Sequence, residues 1–237
     1  MRKTLLALGA LAALAWLPSP AVHAQGAGVS ELVVTAERRE EGPPHVGLIH
    51  RADFLAVEVQ VDCDTRDQRD RLEEMKSTLR NMIAASAAAG VELGVENDDV
   101  VLPLKPDALE TLLSPGRQPD TTTTTILVKT HLTPDDTFEA ATARVDRYLR
   151  ATKVVGRALA SRTGDWQLTL IRPEQYHAQI VSAVAQDAAD TSKAFGAGFS
   201  VEIQGLERSV QWMRAGPLDL ALYIPYSLKV EPLPARP

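Results

Sequence analysis

The chain has one cysteine among 237 residues, and aromatic side chains make up only 5% of it. A single cysteine excludes an intramolecular disulfide, and with it a disulfide-stabilised scaffold. The basic residues form no cluster, and the formal net charge is −6. An acidic chain without a basic patch is poorly suited to bind nucleic acid or anionic lipid, so we expect neither partner.

The sequence also lacks the short motifs that mark common enzymes. It contains no G-x-S-x-G elbow, H-E-x-x-H pair, P-loop or G-x-G-x-x-G fingerprint. No stretch of the chain assembles an acid, a base and a nucleophile. We therefore expect a protein that is not an enzyme, with no catalytic residue, no cofactor and no metal ion.

Cys63 is the first residue to weigh against that expectation. It lies shortly before a predicted helix, which favours the thiolate, but Asp62 and Asp64 flank it and disfavour the thiolate. The alternation of its strand points the side chain inward. Free cysteines are often buried small hydrophobes, and we expect Cys63 to be one.

Two groups of residues have a weak resemblance to metal sites. Asp62, Asp64 and Glu73 stand at the first, third and twelfth places of an EF-hand count, but an arginine fills the fifth place and an aspartate replaces the required glycine. A solvated helix start is the simpler interpretation. His45 and His50 are five residues apart, and only a loop could bring them together.

The N-terminus has the features of an export signal. Arg2 and Lys3 precede an apolar stretch at residues 5–17, and residues 22–24 form an acceptable cleavage site. We predict that residues 1–24 are a signal peptide and that the mature protein is periplasmic, without stable membrane insertion. Loss of Arg2 and Lys3 changes the formal charge from −6 to −8.

A β-α-β unit organises the first half of the mature chain. Apolar and polar residues alternate over 55–63, which predicts a half-buried strand. A helix should follow, with Thr65 as its N-cap, Gln68 in a capping-box position and Gly90 as its left-handed end. The polar residues of this helix, Arg71 among them, are assigned to its outer face. Residues 91–95 predict the next strand.

The remaining pattern predicts an α+β fold, with long helices packed on a mixed or antiparallel sheet. The threonine run at 121–125 suggests an edge strand. We expect one domain over 25–232, as one lobe or as two lobes meeting near 103–120, and a proline-rich tail at 233–237. The further predicted strands are 32–36, 100–104, 121–132, 166–171, 199–203 and 218–230 (with Pro225 at a bulge or an edge position), and the helical segments are 107–113, 133–164 and 173–195.

Several of these stretches resemble the SIMPL-domain family of periplasmic or exported proteins. The matching pieces are the strand from Arg51 to Val59 with its long helix, the alanine-rich helix that ends at Phe195-Gly196, and the closing strand from Leu220 to Val230. The resemblance implies an α+β exported protein, associated with oxidative-stress defence and with ring-like homo-oligomers. It implies no catalytic residues.

Our leading hypothesis is therefore a non-enzymatic, self-assembling periplasmic protein of SIMPL type that contributes to envelope or oxidative-stress tolerance. The alternative is a module that binds a small ligand or a protein partner, using the proline-rich segment 103–119 and a cleft beneath it. A third hypothesis is a thiol-dependent enzyme built on Cys63.

Overall fold

The computed structural model describes residues 31–34, 46–97 and 100–233. The fold is α+β, as predicted. The helices are α1 (Gln68–Ser86), α2 (Leu109–Leu112), α3 (Phe138–Ala151) and α4 (His177–Phe195), with 3₁₀ turns after α1 and before α2 and α4. The strands are β1 (Glu31–Val34), β2 (Leu48–Arg51), β3 (Phe54–Cys63), β4 (Glu92–Asn97), β5 (Val100–Pro103), β6 (Ser114–Pro115), β7 (Thr122–His131), β8 (Leu159–Ile171), β9 (Phe199–Gln204), β10 (Gln211–Arg214), β11 (Asp219–Tyr223) and β12 (Ser227–Pro232).

The main sheet is built from two split β-α-β units. Strand β7 lies between β3 and β4, and β3 lies between β7 and β8, with antiparallel pairing throughout. The units β3-α1-β4 and β7-α3-β8 are thus interleaved, which is the β-α-β-β-α-β arrangement of ferredoxin-like folds. Strands β5 and β1 continue the sheet from β4 and β8 and pair with each other, so six strands form a closed ring.

The alternation of β3 decides what each face of the main sheet contacts. Its inward residues pack against the predicted apolar stripe of α1 and against Val145 and Tyr148 of α3. The sequence predicted the burial of Val145 but not of Tyr148. The opposite face carries the polar side chains of β3. The first face therefore supplies the core, which is lined by Val57, Val59, Val61, Cys63, Met75, Leu79, Met82, Ile126 and Val128.

A second apolar cluster joins the main sheet to α4 and to a small sheet of order β10-β11-β2. The sequence predicted one strand across residues 218–230, and this was wrong. Residues after Tyr223 leave the small sheet at Pro225, which has no N–H to continue a ladder, and β12 pairs with β9 in a separate two-stranded ribbon. The cluster contains Leu168, Leu170, Ile180, Val184, Leu218, Leu220, Leu222 and Ile224.

The predicted helix over 133–164 is the largest correction. Asp136 accepts hydrogen bonds from the N–H and hydroxyl of Thr133, so a turn precedes the helix and Thr137 becomes its N-cap. Thr152 has extended backbone and ends α3. The chain then forms a loop over 152–158, and Leu159, predicted as a buried helical residue, begins β8 with 65% of its surface exposed.

Two smaller predictions also change. Asp67, not Thr65, caps α1, and its carboxylate accepts a hydrogen bond of 3.0 Å from the N–H of Asp70. Strand β7 lies inside the sheet, so the threonine run is not at an edge. Gly90 does have the predicted left-handed conformation, with φ 69°.

Among the helices of the described ranges, none has the length and apolar character to cross a membrane.

Arg71, assigned to the outer face of α1, is buried with 7% of its surface exposed. Its Nε donates a 3.0 Å hydrogen bond to Thr122 Oγ1 on β7, and its Nη1 donates to the carbonyl oxygens of Thr65 and Arg66 at 2.6 and 3.2 Å. These contacts connect the start of α1 to the loop before it and to the neighbouring strand. A buried guanidinium is tolerated here because its Nε and Nη1 groups have hydrogen-bond partners.

Replacing Arg71 with alanine should lower the free energy of unfolding by roughly 2 kcal/mol, because buried acceptors would lose their donor. Urea denaturation followed by circular dichroism measures the change. Arg69→Ala is the matched control, since Arg69 is exposed on the same helix, and its effect should stay within about 0.5 kcal/mol. Equal effects of the two substitutions would contradict the assigned role of Arg71.

Candidate functional site

A polar cleft of about 530 Å³ lies on the face of the main sheet opposite α1. Its floor consists of Gln60 and Asp62 from β3 and their cross-strand partners Thr125 and Thr123 from β7. The strand alternation that buries Val59 and Val61 therefore also directs these polar side chains into the cleft. One wall is the hairpin from β6 to β7, and the other is the segment that enters β8.

The hairpin wall is held in a tight conformation. The N–H of Gly116 donates to the carbonyl oxygen of Thr121 at 2.9 Å, and Thr121 Oγ1 donates to the carbonyl oxygen of Gln118 at 2.6 Å. A Cβ atom on Gly116 would lie 2.2 Å from Thr121 Oγ1, so a side chain there would force the turn to shift. This turn places Pro115, Arg117 and Gln118 along the cleft.

The opposite wall contains an ion pair. The guanidinium of Arg157 donates to both carboxylate oxygens of Asp64 at 2.6 Å, in a bidentate arrangement. The hydrogen bonds and charge of Arg157 lower the pKa of the Asp64 carboxyl. Leu159 adds an exposed apolar surface beside the pair.

Asp62 has a different environment from Asp64. The side-chain amide of Gln60 lies 2.9 Å from both Asp62 carboxylate oxygens. That donor is neutral, and no cation of the described chain forms an ion pair with Asp62. Arg117 on the hairpin wall likewise has no acidic partner within the described residues. The cleft thus contains one carboxylate and one guanidinium whose charges are not paired.

Glu74 of α1 links the cleft wall to the core. One of its carboxylate oxygens accepts hydrogen bonds from Thr65 Oγ1 at 2.6 Å, from the N–H of Arg157 at 3.0 Å and from Cys63 Sγ at 3.2 Å. The hydrogen bond from Thr65, followed by that from Arg157, lowers the pKa of Glu74. Gly156 approaches so closely that a Cβ atom there would lie 2.0 Å from the Glu74 carboxyl carbon.

Cys63 is buried, as its alternation predicts, with 1% of its surface exposed. Cys63 is among the residues that line the cleft, but its thiol packs in the apolar core and donates toward Glu74. This placement offers no support for a thiol-dependent reaction.

The weak metal candidates are not brought together. Asp62 contacts Gln60, Asp64 contacts Arg157, and Glu73 pairs with Lys76 along α1. No group of three or more potential metal ligands occurs among the residues that the structure describes. His45 lies outside those residues, and His50 Nε2 is 2.8 Å from the hydroxyl of Tyr176.

Two other hollows, each of about 500 Å³, lie on the side of α1 and α3. One is lined mainly by apolar residues around Gly90, with Glu92 and His131, and the other mainly by alanines with Arg144 and Arg147. Neither brings charged groups of both signs together with hydroxyl and amide groups. The polar cleft on the opposite face is therefore the better candidate site.

The sequence indicated part of this cleft. The proline-rich segment 103–119 contributes Pro115, Gly116, Arg117 and Gln118, as expected of a segment that borders a cleft. Leu104 and Leu109 of the same segment pack into the core instead. Arg157 was missed because it was assigned to a helix, and Arg117 carried no motif that would single it out.

No protein-family model, no curated protein and no solved structure matches this chain. Membership of the SIMPL-domain family therefore stays a prediction, and the candidate site is argued from its own geometry.

Glu74→Gln should change how stability depends on pH. A lowered carboxylate pKa contributes stability that is present above the unfolded-state value, near 4.5, and is lost as the pH falls through the folded-state value. The native protein should therefore exceed the variant in stability at pH 7, and the difference should shrink below about pH 4.5.

Urea denaturation at pH 7, 5, 4 and 3 measures this difference. Glu207→Gln is the control, because Glu207 is exposed in the loop after β9. A difference for Glu74→Gln that does not vary with pH would show that the hydrogen bonds of Glu74 do not depend on its charge.

Proposed function

We propose that this chain is a non-enzymatic periplasmic binding protein whose polar cleft receives a small polar ligand. The observation that carries the proposal is the cleft itself, a concave site of about 530 Å³ that presents carboxylate, guanidinium, amide and hydroxyl groups. Sites for small ligands commonly have volumes of about 300–1,000 Å³. The pattern of residues 1–24 supports export, although those residues lie outside the described structure.

The floor of the cleft is well suited to hold a ligand without rearrangement. Strand β3 pairs with β7 at ten consecutive positions, from Phe54 opposite His131 to Cys63 opposite Thr122. Side chains on paired strands have few alternative positions, so less conformational entropy is lost when a ligand binds.

The contacts inside the cleft support binding over catalysis. Asp64 is tied to Arg157, and the Asp62 carboxylate contacts only an amide donor. The hydroxyls of Thr123 and Thr125 lie beside no histidine among the lining residues. An activated nucleophile needs a base within hydrogen-bond reach, and the lining does not place such a pair together.

A ligand screen tests the binding function. A thermal-shift panel of about one hundred small polar compounds, including amino acids, short peptides, sugars, phosphates and dicarboxylates, should contain a compound that raises Tm. Thr125→Trp should abolish that shift, because the indole would fill the cleft from its floor.

Thr111→Trp is the matched control, since Thr111 is an exposed threonine of α2 that does not line the cleft. The Thr111→Trp variant should still show the rise in Tm when the ligand is added. If no compound raises Tm, or if Thr125→Trp leaves every shift in place, the cleft is not the binding site.

The second candidate function is self-assembly of SIMPL type, with a contribution to envelope or oxidative-stress tolerance. An exposed aromatic patch favours it. Phe195 and Phe199 have 53% and 38% of their surface exposed, and their rings lie 5.8 Å apart. Leu233 is nearby, because its N–H donates to the carbonyl oxygen of Gly198. Exposed apolar patches often mark contacts between proteins.

The double substitution Phe195→Ser/Phe199→Ser should shift an oligomeric protein toward a smaller mass, measured by light scattering after size exclusion. Val154→Ser is the control, because Val154 is an exposed apolar residue of the loop before β8. The native gene should also restore peroxide survival to a deletion strain better than the double variant does. A strictly monomeric native protein at high concentration, or unchanged survival on deletion, would remove the respective part of this candidate.

A further inference from the structure

The polar cleft combines charges of both signs in a way that selects among ligand classes. Its charged lining residues are Asp62, Asp64, Arg117 and Arg157, so their formal charges cancel. Asp64 and Arg157 neutralise each other in their bidentate pair. The charges left for a ligand are the carboxylate of Asp62 on the floor and the guanidinium of Arg117 on the hairpin wall.

We propose that the cleft binds a zwitterion, namely a free amino acid or a short peptide, with its ammonium group on Asp62 and its carboxylate on Arg117. This inference rests on the proposed binding function and makes it specific. The geometry behind it is the presence of one unpaired acidic side chain on the floor and one unpaired basic side chain on the hairpin wall of the same cleft.

Each of the two contacts has a physical basis. The Asp62 carboxylate is held in place by the Gln60 amide, which satisfies only part of its acceptor capacity. An ammonium group donates three hydrogen bonds and would take up the rest. Arg117 presents a planar set of donors that matches a carboxylate in a bidentate arrangement. Thr123, opposite Asp62, and Thr125, opposite Gln60, also line the cleft and offer hydroxyl groups to a peptide amide.

Other ligand classes fit this lining less well. A phosphate or dicarboxylate would lie beside the unpaired carboxylate of Asp62, and a polyamine would lie beside the unpaired guanidinium of Arg117. Aromatic side chains, which commonly stack on bases and other planar ligands, are missing from the lining residues. A zwitterion is the class in which each ligand charge meets an opposite charge of the protein.

The test is isothermal titration of the mature protein with L-alanyl-L-alanine, L-alanine, the N-acetylated dipeptide, the dipeptide amide, glucose and inorganic phosphate. At least one of the two zwitterions should bind. Removing either charge of the dipeptide should weaken binding by about tenfold, the size expected for a lost charge-assisted hydrogen bond.

Two substitutions assign the ends of the ligand. Asp62→Asn should weaken dipeptide binding about tenfold and make the free and N-acetylated dipeptides bind alike. Arg117→Gln should also weaken dipeptide binding about tenfold, and it should make the free dipeptide and the dipeptide amide bind alike. Asp107→Asn and Arg150→Gln, exposed charges outside the cleft, should change affinity less than twofold. Circular dichroism shows whether each variant is folded.

The outcomes separate this inference from the function on which it rests. If glucose or phosphate binds and neither zwitterion does, the zwitterion inference is overturned while ligand binding in the cleft stands. The zwitterion inference would also be overturned if the N-acetylated dipeptide and the dipeptide amide bound as tightly as the free dipeptide. If Thr125→Trp fails to abolish the binding of any ligand, the cleft assignment and this inference fall together.

Discussion

The structure depends on the pairing of β3 with β7. These two strands run antiparallel and pair at ten consecutive positions in the main sheet. Since successive side chains of a strand point to opposite faces, this one ladder sets both the core and the cleft. Val57, Val59 and Val61 are fully buried on one side, while Gln60 and Asp62 line the cleft on the other. A slip of one residue in the register would exchange the two faces and lose both.

Helix α1 packs on the apolar face of this ladder and holds in position the end where Cys63 lies opposite Thr122. Met75, Leu79 and Met82 cover the apolar face, and Arg71 connects the helix to the first residue of β7. Glu74, one turn further along, binds the loop that carries Arg157. The same helix therefore stabilises the core and fixes the position of one cleft wall. The hydrogen bonds that Glu74 accepts from Thr65 and Arg157 lower the pKa of its carboxyl.

Local patterns in the sequence account for much of this fold. The alternation over residues 55–63 identified β3 and its buried face, the apolar stripe identified α1, and Gly90 marked the end of that segment. These features depend on neighbours in the chain, which the sequence shows directly. The α+β class follows from them.

Tertiary contacts explain the features that could not be predicted. Arg71 looks like a surface residue because its hydrogen-bond partner, Thr122, lies 51 positions away. The apolar spacing of residues 149–159 continues the period of α3, but Val155 N–H and the carbonyl of Lys153 bind Thr78 and Asn81 of α1 and hold the loop open. No local signal reports such contacts.

The candidate site could be predicted even less well from local sequence, because it also depends on tertiary contacts. Its charged residues come from β3, the β6–β7 hairpin and the segment before β8, which are far apart in the sequence. Asp62 and Asp64, considered in the sequence as neighbours of Cys63 and as weak calcium candidates, differ in the structure because Arg157 reaches Asp64 and an amide reaches Asp62. The Asp64 carboxylate is neutralised because Arg157, which is distant in the sequence, pairs with it. The Asp62 carboxylate has only a neutral amide donor and is available to a ligand. Chemical selectivity at this cleft is consequently a property of the folded sheet and its loops.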